Sequence, residues 1–353
     1  MRLTWHTTTL ELAEPLRISR SVTTTRDAVR VTVEHAGIRG YGEAVARTYL
    51  DLPTPRIIRA PAAARPWIER HPDPETASTA TAEDSTAPAH LPPGVFAAIE
   101  AALLDLVGKR AGEPVHRLLG TAHTPAAATA RTIGIVDAAH AATSAAHLCA
   151  SGFTVVKIKA GSPDPALDLD LARVAAVHAA APHATLLLDP NGAWTERQAL
   201  DLLPSFAALG VEAVEQPVAP GRPNVLARIA ERSPIPVIAD EDAVSYHDAL
   251  RLAGHVHGVN IKLAKCGGVR AALRIVEALR GSGTDIMLGC LTADSLGIAP
   301  AVHLVDRARW VDLDGHLLLA HDPWTGIGGT DGVVRASAHS GLGVRPTNTG
   351  AAQ

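Results

Sequence analysis

Short, largely apolar runs that each end on a charged side chain recur through the middle of this chain: TVVKIK ending at Lys159, ATLLLD at Asp189, VEAVE at Glu215, PVIAD at Asp240 and GVNIK at Lys262. They return roughly every 25 residues, the length of one strand–helix unit of a β/α barrel. In such a barrel the carboxyl ends of successive parallel strands open onto one mouth, so side chains far apart in sequence become neighbours there. Three carboxylates and two amines, in the order Lys, Asp, Glu, Asp, Lys, are therefore expected around a single cavity.

Helical stretches such as PALDLDLARVAAVHAA and ERQALDLLPSFAAL alternate with these runs, ARTIGI begins the repeat, and DIMLG and RWVDLDG extend it. The pattern predicts about eight strands, a first helix near residues 136–151 and no full helix after the last strand. A barrel takes about 200 residues or more, so a chain of 353 leaves room for a second unit. At the N-terminus LTWHTTTLEL and DAVRVTVEHAG have strand character and the glycine-flanked GIRGYGEA follows, so antiparallel strands and turns open the chain. Residues from about 60 to 93, rich in Ala, Pro, Thr and Asp, read as a loop or weakly periodic helices. VFAAIEAALLDLVGKRAG then carries apolar residues at helical spacing and stops at Gly112 and Pro114. The expected organisation is an α+β capping domain over 1–124, completed by the tail 325–353 with its HSGLGVRP, and a modified (β/α)7β TIM-like barrel over 125–324.

Composition narrows the partner. A formal net charge of −4 and a pI near 6.5 give no basic surplus for nucleic acid or an anionic membrane, which leaves a small molecule. Cys149, Cys266 and Cys290 are odd in number and form no Cys-x-x-Cys motif, so free thiols in a reducing cytoplasm are expected. The N-terminus lacks the continuous apolar core of a signal peptide, and no apolar stretch reaches the roughly 18 residues of a membrane span. A homo-oligomer is left open.

Asp189, Glu215 and Asp240 offer oxygen ligands with no histidine or cysteine at equivalent strand ends, a donor set that suits Mg²⁺ and not Zn²⁺. Octahedral Mg²⁺ held by three carboxylates keeps roughly three positions for water or a substrate carboxylate. A cation there offsets the negative charge that builds when a proton leaves the carbon beside a carboxylate. Lys157 and Lys159, two apart on a strand, point to one face. Mutual repulsion and a nearby cation are expected to lower their pKa values and supply a neutral amine as base. Lys262 lies beyond the acids on the other side, so that one amine removes a proton and another returns one to the opposite face, inverting a stereocentre. Taken singly, a strand-end acid is ordinarily a cap and a lysine ordinarily a solvated surface group. Asp189 in particular fits an N-cap for the helix after Trp194. It is the joint register that points to a site, with Asn191 of DPNG and Gln216 of EQP as supporting polar groups.

The set KIK, DPNGAW, VEQP, IADED and NIKLAKCGG, together with GYGEA and the terminal GLGV, resembles the muconate-lactonizing subgroup of the enolase superfamily over nearly the whole chain. Superfamily sites with lysine or histidine bases and Mg²⁺ are a known pattern. The resemblance implies Asp189, Glu215 and Asp240 as metal ligands, Lys159 and Lys262 as the acid/base pair, and Lys157 as a contact to the substrate carboxylate. Within the subgroup the chain looks like the dipeptide epimerases of the L-Ala-D/L-Glu type. WVDLDG places Asp312 and Asp314 on one strand face, a pair suited to gripping the dipeptide's free amine, and Thr132 and Cys290 stand where substrate contacts are implied. The bland alternative is that Asp312 and Asp314 cap the following turn. In GCLTADSLG, Ala293 stands where relatives often carry an acid, with Asp294 beside it. PLRISRS resembles the cap loop over the substrate side chain, and its Arg17 or Arg20 suits an acidic second residue.

The expected function is thus Mg²⁺-dependent 1,1-proton transfer at the α-carbon of the C-terminal residue of a dipeptide, through an enediolate. The same scaffold accommodates an N-acylamino acid racemase, an o-succinylbenzoate synthase or a cycloisomerase, whose substrates lack a free amine. A Schiff-base aldolase barrel using Lys159 or Lys262, and a barrel that binds without turnover, are the alternatives from other classes.

Overall fold

The computed structural model describes residues 1–83, 91–162 and 168–347. Strands β1 (Arg2–Ile18), β2 (Ser21–His35) and β3 (Ile38–Val45) form an antiparallel sheet in that order, and helices α1 (Thr54–Glu69), α2 (Pro74–Glu83) and α3 (Pro93–Ala111) follow. GIRGYGEA is mostly strand β3; the tight turn before it is Ala36–Gly37, with φ of 50° and 79°. Gly40 and Gly42 of β3 serve packing. A Cβ on Gly40 or Gly42 would sit 2.0 Å from the carbonyl oxygen of Ala102 or Ala98, so only glycine lets α3 lie this close to the sheet. The stretch from 60 to 93 is largely helical, α1 running through Pro61 and Pro66 with Ile57, Ala64, Trp67 and Ile68 buried. Residues 84–90 of that stretch lie outside the described residues. Helix α3 stops at Gly112, left-handed at φ 71°, where the sequence placed its end.

The short helix α4 (Val115–Leu118) and strand β4 (Ala126–Ala128) lead to the repeat. Its units are β5 (Arg131–Ile133), α5 (Ala138–Ala150), β6 (Val155–Lys159), α6 (Asp168–Ala180), β7 (Thr185–Asp189), α7 (Glu196–Ala208), β8 (Val211–Glu215), α8 (Pro223–Arg232), β9 (Val237–Ala239), α9 (Tyr246–Leu252), β10 (Gly258–Ile261), α10 (Leu263–Cys266), α11 (Val269–Leu279), β11 (Asp285–Gly289), α12 (Ser295–Val302) and β12 (Trp310–Asp312). The start of the predicted PALDLDL helix, residues 165–167, is outside the described residues. Strands β5 to β12 pair in sequence order in one eight-stranded sheet, and Ala130 N donates to Val311 O at 2.8 Å where its ends meet. Only a 3-10 turn, Gly315–Leu318, directly follows β12, which gives the (β/α)7β form.

Side-chain alternation explains what each strand does. On β7, Leu186 and Leu188 face the helix layer while Leu187 joins Ala130, Ala213, Ile238, Met287 and Trp310 in a separate apolar cluster inside the barrel. Two residues beyond Leu187, Ala213, Ile238 and Trp310 on the same inward face come Asp189, Glu215, Asp240 and Asp312. Buried Lys157 and Asn260 stand level with Leu187 and Met287, and Lys159 and Lys262 follow two residues after them, so the charged mouth reaches down into an otherwise apolar floor. The cap has its own core, in which Val29, Val31 and Val33 of β2 pack with Ile99, Leu103 and Leu106 of α3.

The tail joins both parts. β13 (Trp324–Thr325) pairs with β15 (Arg345–Pro346), and β14 (Val333–Arg335) pairs with β4. Between them Gly341 O accepts from Val115 N at 2.9 Å, and Leu342 N donates to Asp105 of α3 at 2.8 Å. Among the described residues no helix is long and apolar enough to cross a membrane.

Candidate active site

The β1–β2 hairpin bends over the barrel mouth. Its register shifts between Glu11 and Leu16, Arg17 O accepts from Ile135 N at 2.8 Å, and Arg20 reaches Asn191 O at 2.6 Å after β7. Between this hairpin and the strand ends lies a cavity whose barrel side includes Thr132, Lys157, Lys159, Asp240, Lys262, Cys290, Asp312 and Asp314. The sequence named each of these.

The carboxylates follow the strands as the rhythm required, Asp189 and Glu215 ending β7 and β8, Asp240 just past β9. Lys159 ends β6 and Lys262 follows β10, so the lysines flank the acidic row. Lys159 Nζ is 2.5 Å from Asp189 Oδ2, and Lys262 Nζ is 2.7 Å from Asp240 Oδ2. Lys157 sits deeper, its Nζ 2.5 Å from Glu215, 2.6 Å from Asp312 and 3.3 Å from Asp189.

These pairings reverse one expectation. The lysine pKa values were to fall by mutual repulsion; instead burial opposes the charge on Lys157, but Asp312, Glu215 and Asp189 carry its pKa well above the ordinary lysine value. At Lys262 burial is likewise overcome, with Asp240 the strongest attraction. Asp189 shows the complement: burial resists ionisation, yet Lys159 and Lys157 bring it down to about 2. Glu215 goes the other way, to about 7, because burial and the charges of Asp189 and Asp240 outweigh the pull of Lys157.

The supporting groups divide. Asn191, held at φ 51°, donates through its backbone N (2.9 Å) and Nδ2 (3.1 Å) to Asp189. Gln216 does not touch a carboxylate of the row: its Oε1 accepts from the backbone N of Asp240 and Asp242, and its Nε2 donates to Asp242, which fixes the loop after β9. Asp189 is no N-cap, since Thr195 and Gln198 form the capping box of α7. Asp314 does not cap the turn that follows it with its side chain; its Oδ2 accepts from Thr132 N at 2.7 Å. Asp312 Oδ1 is buried and unpaired among the described residues. Ala293 is buried, and its neighbour Asp294 is turned away from the cavity, capping α12 and pairing with Arg30 of the cap at 2.7 Å. Arg17 is exposed, while Arg20 lines the cavity with its guanidinium on Asn191 O and Glu241.

Several residues were missed. Lys265 Nζ donates to Asp240 Oδ1 (2.5 Å), Asp240 O (2.7 Å) and Asn260 O (2.8 Å), and Asn260 Nδ2 donates to Glu215 Oε1 at 2.7 Å. Asn260 was legible, being two positions before Lys262 on one strand face. The space it occupies exists because β11 ends in glycine: a Cβ on Gly289 would lie 2.4 Å from Asn260 Oδ1. Arg26, Arg47 and Tyr49 bring the cap and its neighbouring loop into the site, and no barrel rhythm announces them.

Among the described residues no three acidic, histidine or cysteine side chains close on one point as tightly as a bound metal would draw them. Lysine ammonium groups sit between the acids instead. The donor set nevertheless fits a hard cation: it is all oxygen, it spans adjacent strands, and Glu215 Oε2 receives no aligned hydrogen bond although Lys157 is beside it.

A capped β/α barrel with acids at successive strand ends and lysines on either flank defines a class of proton-transfer enzyme scaffold. Residues 2–120 match the mandelate racemase/muconate lactonizing enzyme N-terminal domain and residues 139–349 the enolase C-terminal domain-like family, so the chain belongs to the mandelate racemase/muconate lactonizing group of the enolase superfamily. It is 33% identical to a hydrophobic dipeptide epimerase of Roseobacter litoralis over 97% of this chain and 98% of that one. Identity to an L-Ala-D/L-Glu epimerase of Bacteroides thetaiotaomicron is 30%, over 98% and 88%. A dipeptide epimerase of Enterococcus faecalis, solved with Mg and L-Leu-L-Tyr, superposes with a TM-score of 0.86 at 28% identity, covering 97% of this chain and 98% of that one.

Proposed function

We propose that this protein is a Mg²⁺-dependent dipeptide epimerase that moves a proton at the α-carbon of the C-terminal residue. The observation that carries the proposal is the flanking of the acidic row: Lys159 on the β6 side and Lys262 on the β10 side reach into one cavity from opposite ends. Asp189, Glu215 and Asp240 would hold the metal, whose charge offsets the negative charge gained by the substrate carboxylate as the α-proton leaves. Lys157 then lies where it can contact that carboxylate. Lys159 and Lys262 take and return the proton from the two faces, which requires one to be neutral when the other is charged. In the structure both amines are ion-paired with acids of the row, so Lys159 and Lys262 would be free to exchange a proton when Asp189 and Asp240 are engaged as metal ligands.

Asp312 and Asp314 support a dipeptide over an N-acylated amino acid. Both line the cavity at the end of the last strand, and Asp312 retains an unpaired buried oxygen, an acceptor suited to an ammonium group. Thr132 and Cys290 complete that wall, with the Cys290 thiol kept protonated by burial and by Asp312 and Asp314. We take 1–124 with 325–353 as the cap and 125–324 as the catalytic barrel. The three free cysteines support a reducing cytoplasmic location.

The test is α-proton exchange in D₂O. A dipeptide library incubated with enzyme and Mg²⁺ should gain one mass unit on accepted members, and EDTA should abolish the gain. Borohydride trapping of a stable adduct on Lys159 or Lys262 would instead establish Schiff-base chemistry.

A further inference from the structure

The two lysines that flank the acidic row are held at their backbones in different ways. The carbonyl of Lys262 accepts from Lys265 N (2.8 Å) and Cys266 N (3.2 Å), so the first turn of α10 fixes it. Lys159 ends β6, and the pairing of β5 with β6 stops one residue earlier, at Ile133 opposite Ile158. Beyond that point β5 turns away, and Ile135 N donates to Arg17 O of the cap hairpin. On its other side the peptide after Lys159 is anchored to β7, Ala160 N donating to Asp189 O at 3.0 Å. The carbonyl of a trans peptide points opposite to its N–H, so Lys159 O faces the gap that β5 leaves.

A side chain fills that gap. Arg173, buried on the second turn of α6, donates through Nη1 to Lys159 O (3.2 Å) and through Nε to Val136 O (2.6 Å), so one guanidinium bridges the exit of β5 and the end of β6. Asp170, also buried, accepts from Arg173 Nη1 (2.7 Å), Gly161 N (2.8 Å), Ser162 N (3.1 Å) and Ser162 Oγ (2.7 Å). The loop it grips has little room to shift: a Cβ on Gly161, which sits at φ 90°, would lie 2.6 Å from Ala193 Cβ and 2.9 Å from Ser19 Cβ. A buried ion pair adds little net stability over apolar packing; what this one adds is a fixed geometry next to a base.

We propose that Arg173, oriented by Asp170, is a positioning residue for Lys159: by holding the Lys159 carbonyl it sets the approach of that amine, and not of Lys262, to the α-carbon. This rests on the two-base reading above. Misplacing a reacting group by about 1 Å can cost on the order of 10²-fold, so loss of the bridge should handicap one face of the substrate alone.

The test follows α-proton exchange in D₂O with Mg²⁺ from each epimer of an accepted dipeptide separately, for wild type, K159A, R173Q and R173K. K159A identifies the epimer whose proton Lys159 removes. In R173Q, kcat for exchange of that epimer should fall about 10–100-fold with KM within about twofold of wild type. Exchange of the other epimer, begun by Lys262, should stay within about threefold. R173K keeps the charge but cannot span both carbonyls, and should show the same one-sided loss. Equal loss on both epimers, a loss carried by KM, or wild-type rates in either arginine variant overturns the proposal. If the arginine variants do not fold, D170N, which keeps the side-chain shape, should show the same epimer bias at smaller amplitude, and absence of bias there overturns the proposal. If no dipeptide exchanges, or K159A slows both epimers alike, the reading of the site fails instead, and amide hydrogen exchange then reads the bridge without turnover. Residues 155–162 should exchange at least about tenfold faster in R173Q, or in D170N, than in wild type, with residues 258–266 unchanged. Equal change in both segments, or none in 155–162, overturns the proposal.

Discussion

Buried charges occur in two places in this molecule, and they are satisfied differently. At the seams, backbone amides and local partners hold the acids: Glu100 of α3 accepts from Val269 N (2.5 Å) at the start of α11, Asp105 from Tyr41 N (2.9 Å) and Leu342 N (2.8 Å), and Asp170 from Gly161 N (2.8 Å). At the mouth, Glu215, Asp240 and Asp312 are held chiefly by other side chains, Lys157, Lys262, Lys265 and Asn260 among them. A backbone donor is fixed by the fold, so its acid is tied to structure. A lysine partner can swing to a ligand, so its acid remains available to substrate or metal. The comparison teaches that the kind of partner, and not depth of burial, separates a structural charge from a chemical one.

The sharpest way to break this comparison is at the flanking amines. K159A and K262A should each lower epimerisation by more than about 10³-fold. Urea midpoints should stay near wild type, because Asp189 retains Lys157 and Asp240 retains Lys265. Full epimerisation by either variant would refute the two-base assignment, while exchange of a single epimer by one of them would support it.

At the seam the effects should be inverted. D105A leaves Tyr41 N and Leu342 N without their acceptor and frees Lys109, so it should cost about 2–4 kcal/mol in urea unfolding. Exchange activity at 25 °C should change by less than about threefold. A D105A protein of wild-type stability and greatly reduced activity would show that the two populations are not distinct.

A third variant sits where the two meet in kind, an acid of the mouth with no barrel lysine role in proton transfer. D312N should reduce exchange on dipeptides by about 10–100-fold, the worth of one charged hydrogen bond, and reduce it much less on N-acetylated amino acids. Equal loss on both would remove the amine-binding argument.

The smallest effect concerns a neutral seam residue. His303 accepts from His116 N through Nδ1 (3.2 Å) and faces Leu342 O through Nε2 (3.3 Å), an arrangement that requires the neutral ring. Burial holds its pKa down to about 4, against an ordinary 6.5. The unfolded chain therefore takes up a proton below about 6.5 that the folded chain refuses until about 4. Stability should fall across that window as pH drops, by up to about 3 kcal/mol, and be fully present above it. H303Q should flatten that slope in urea titrations at pH 7, 6 and 5; an unchanged slope would assign it to other groups.

Much of the site was legible because strand register is a local property. Period-2 alternation and a strand–helix repeat put Lys159, Asp189, Glu215, Asp240 and Lys262 on one inward face, and nothing non-local was needed to find them. The last strand was equally readable through Asp312 and Asp314. Three things were not. The pKa direction of Lys157 was misjudged because a neighbouring lysine is visible in sequence, whereas the acids from β7, β8 and β12 that raise it arrive only by barrel closure. Gly37 of GIRGYGEA is a turn residue, as its sequence suggests, but Gly40 and Gly42 resembled turn residues too, and only the approach of α3 reveals them as packing positions. Arg26 and Arg47 belong to the cap and the loop beyond it, where no repeat marks which side chains turn toward the barrel.

The amino-acid sequence alone determined the barrel, the order of charges around its mouth and the supply of oxygen donors, since hydrophobic periodicity and backbone alternation act over a few residues at a time. Tertiary structure decided which charge pairs with which, and which acids are locked to backbone and which are free to exchange partners. Those outcomes depend on distances between segments far apart in the chain, and electrostatic energy in a buried site is set by such distances.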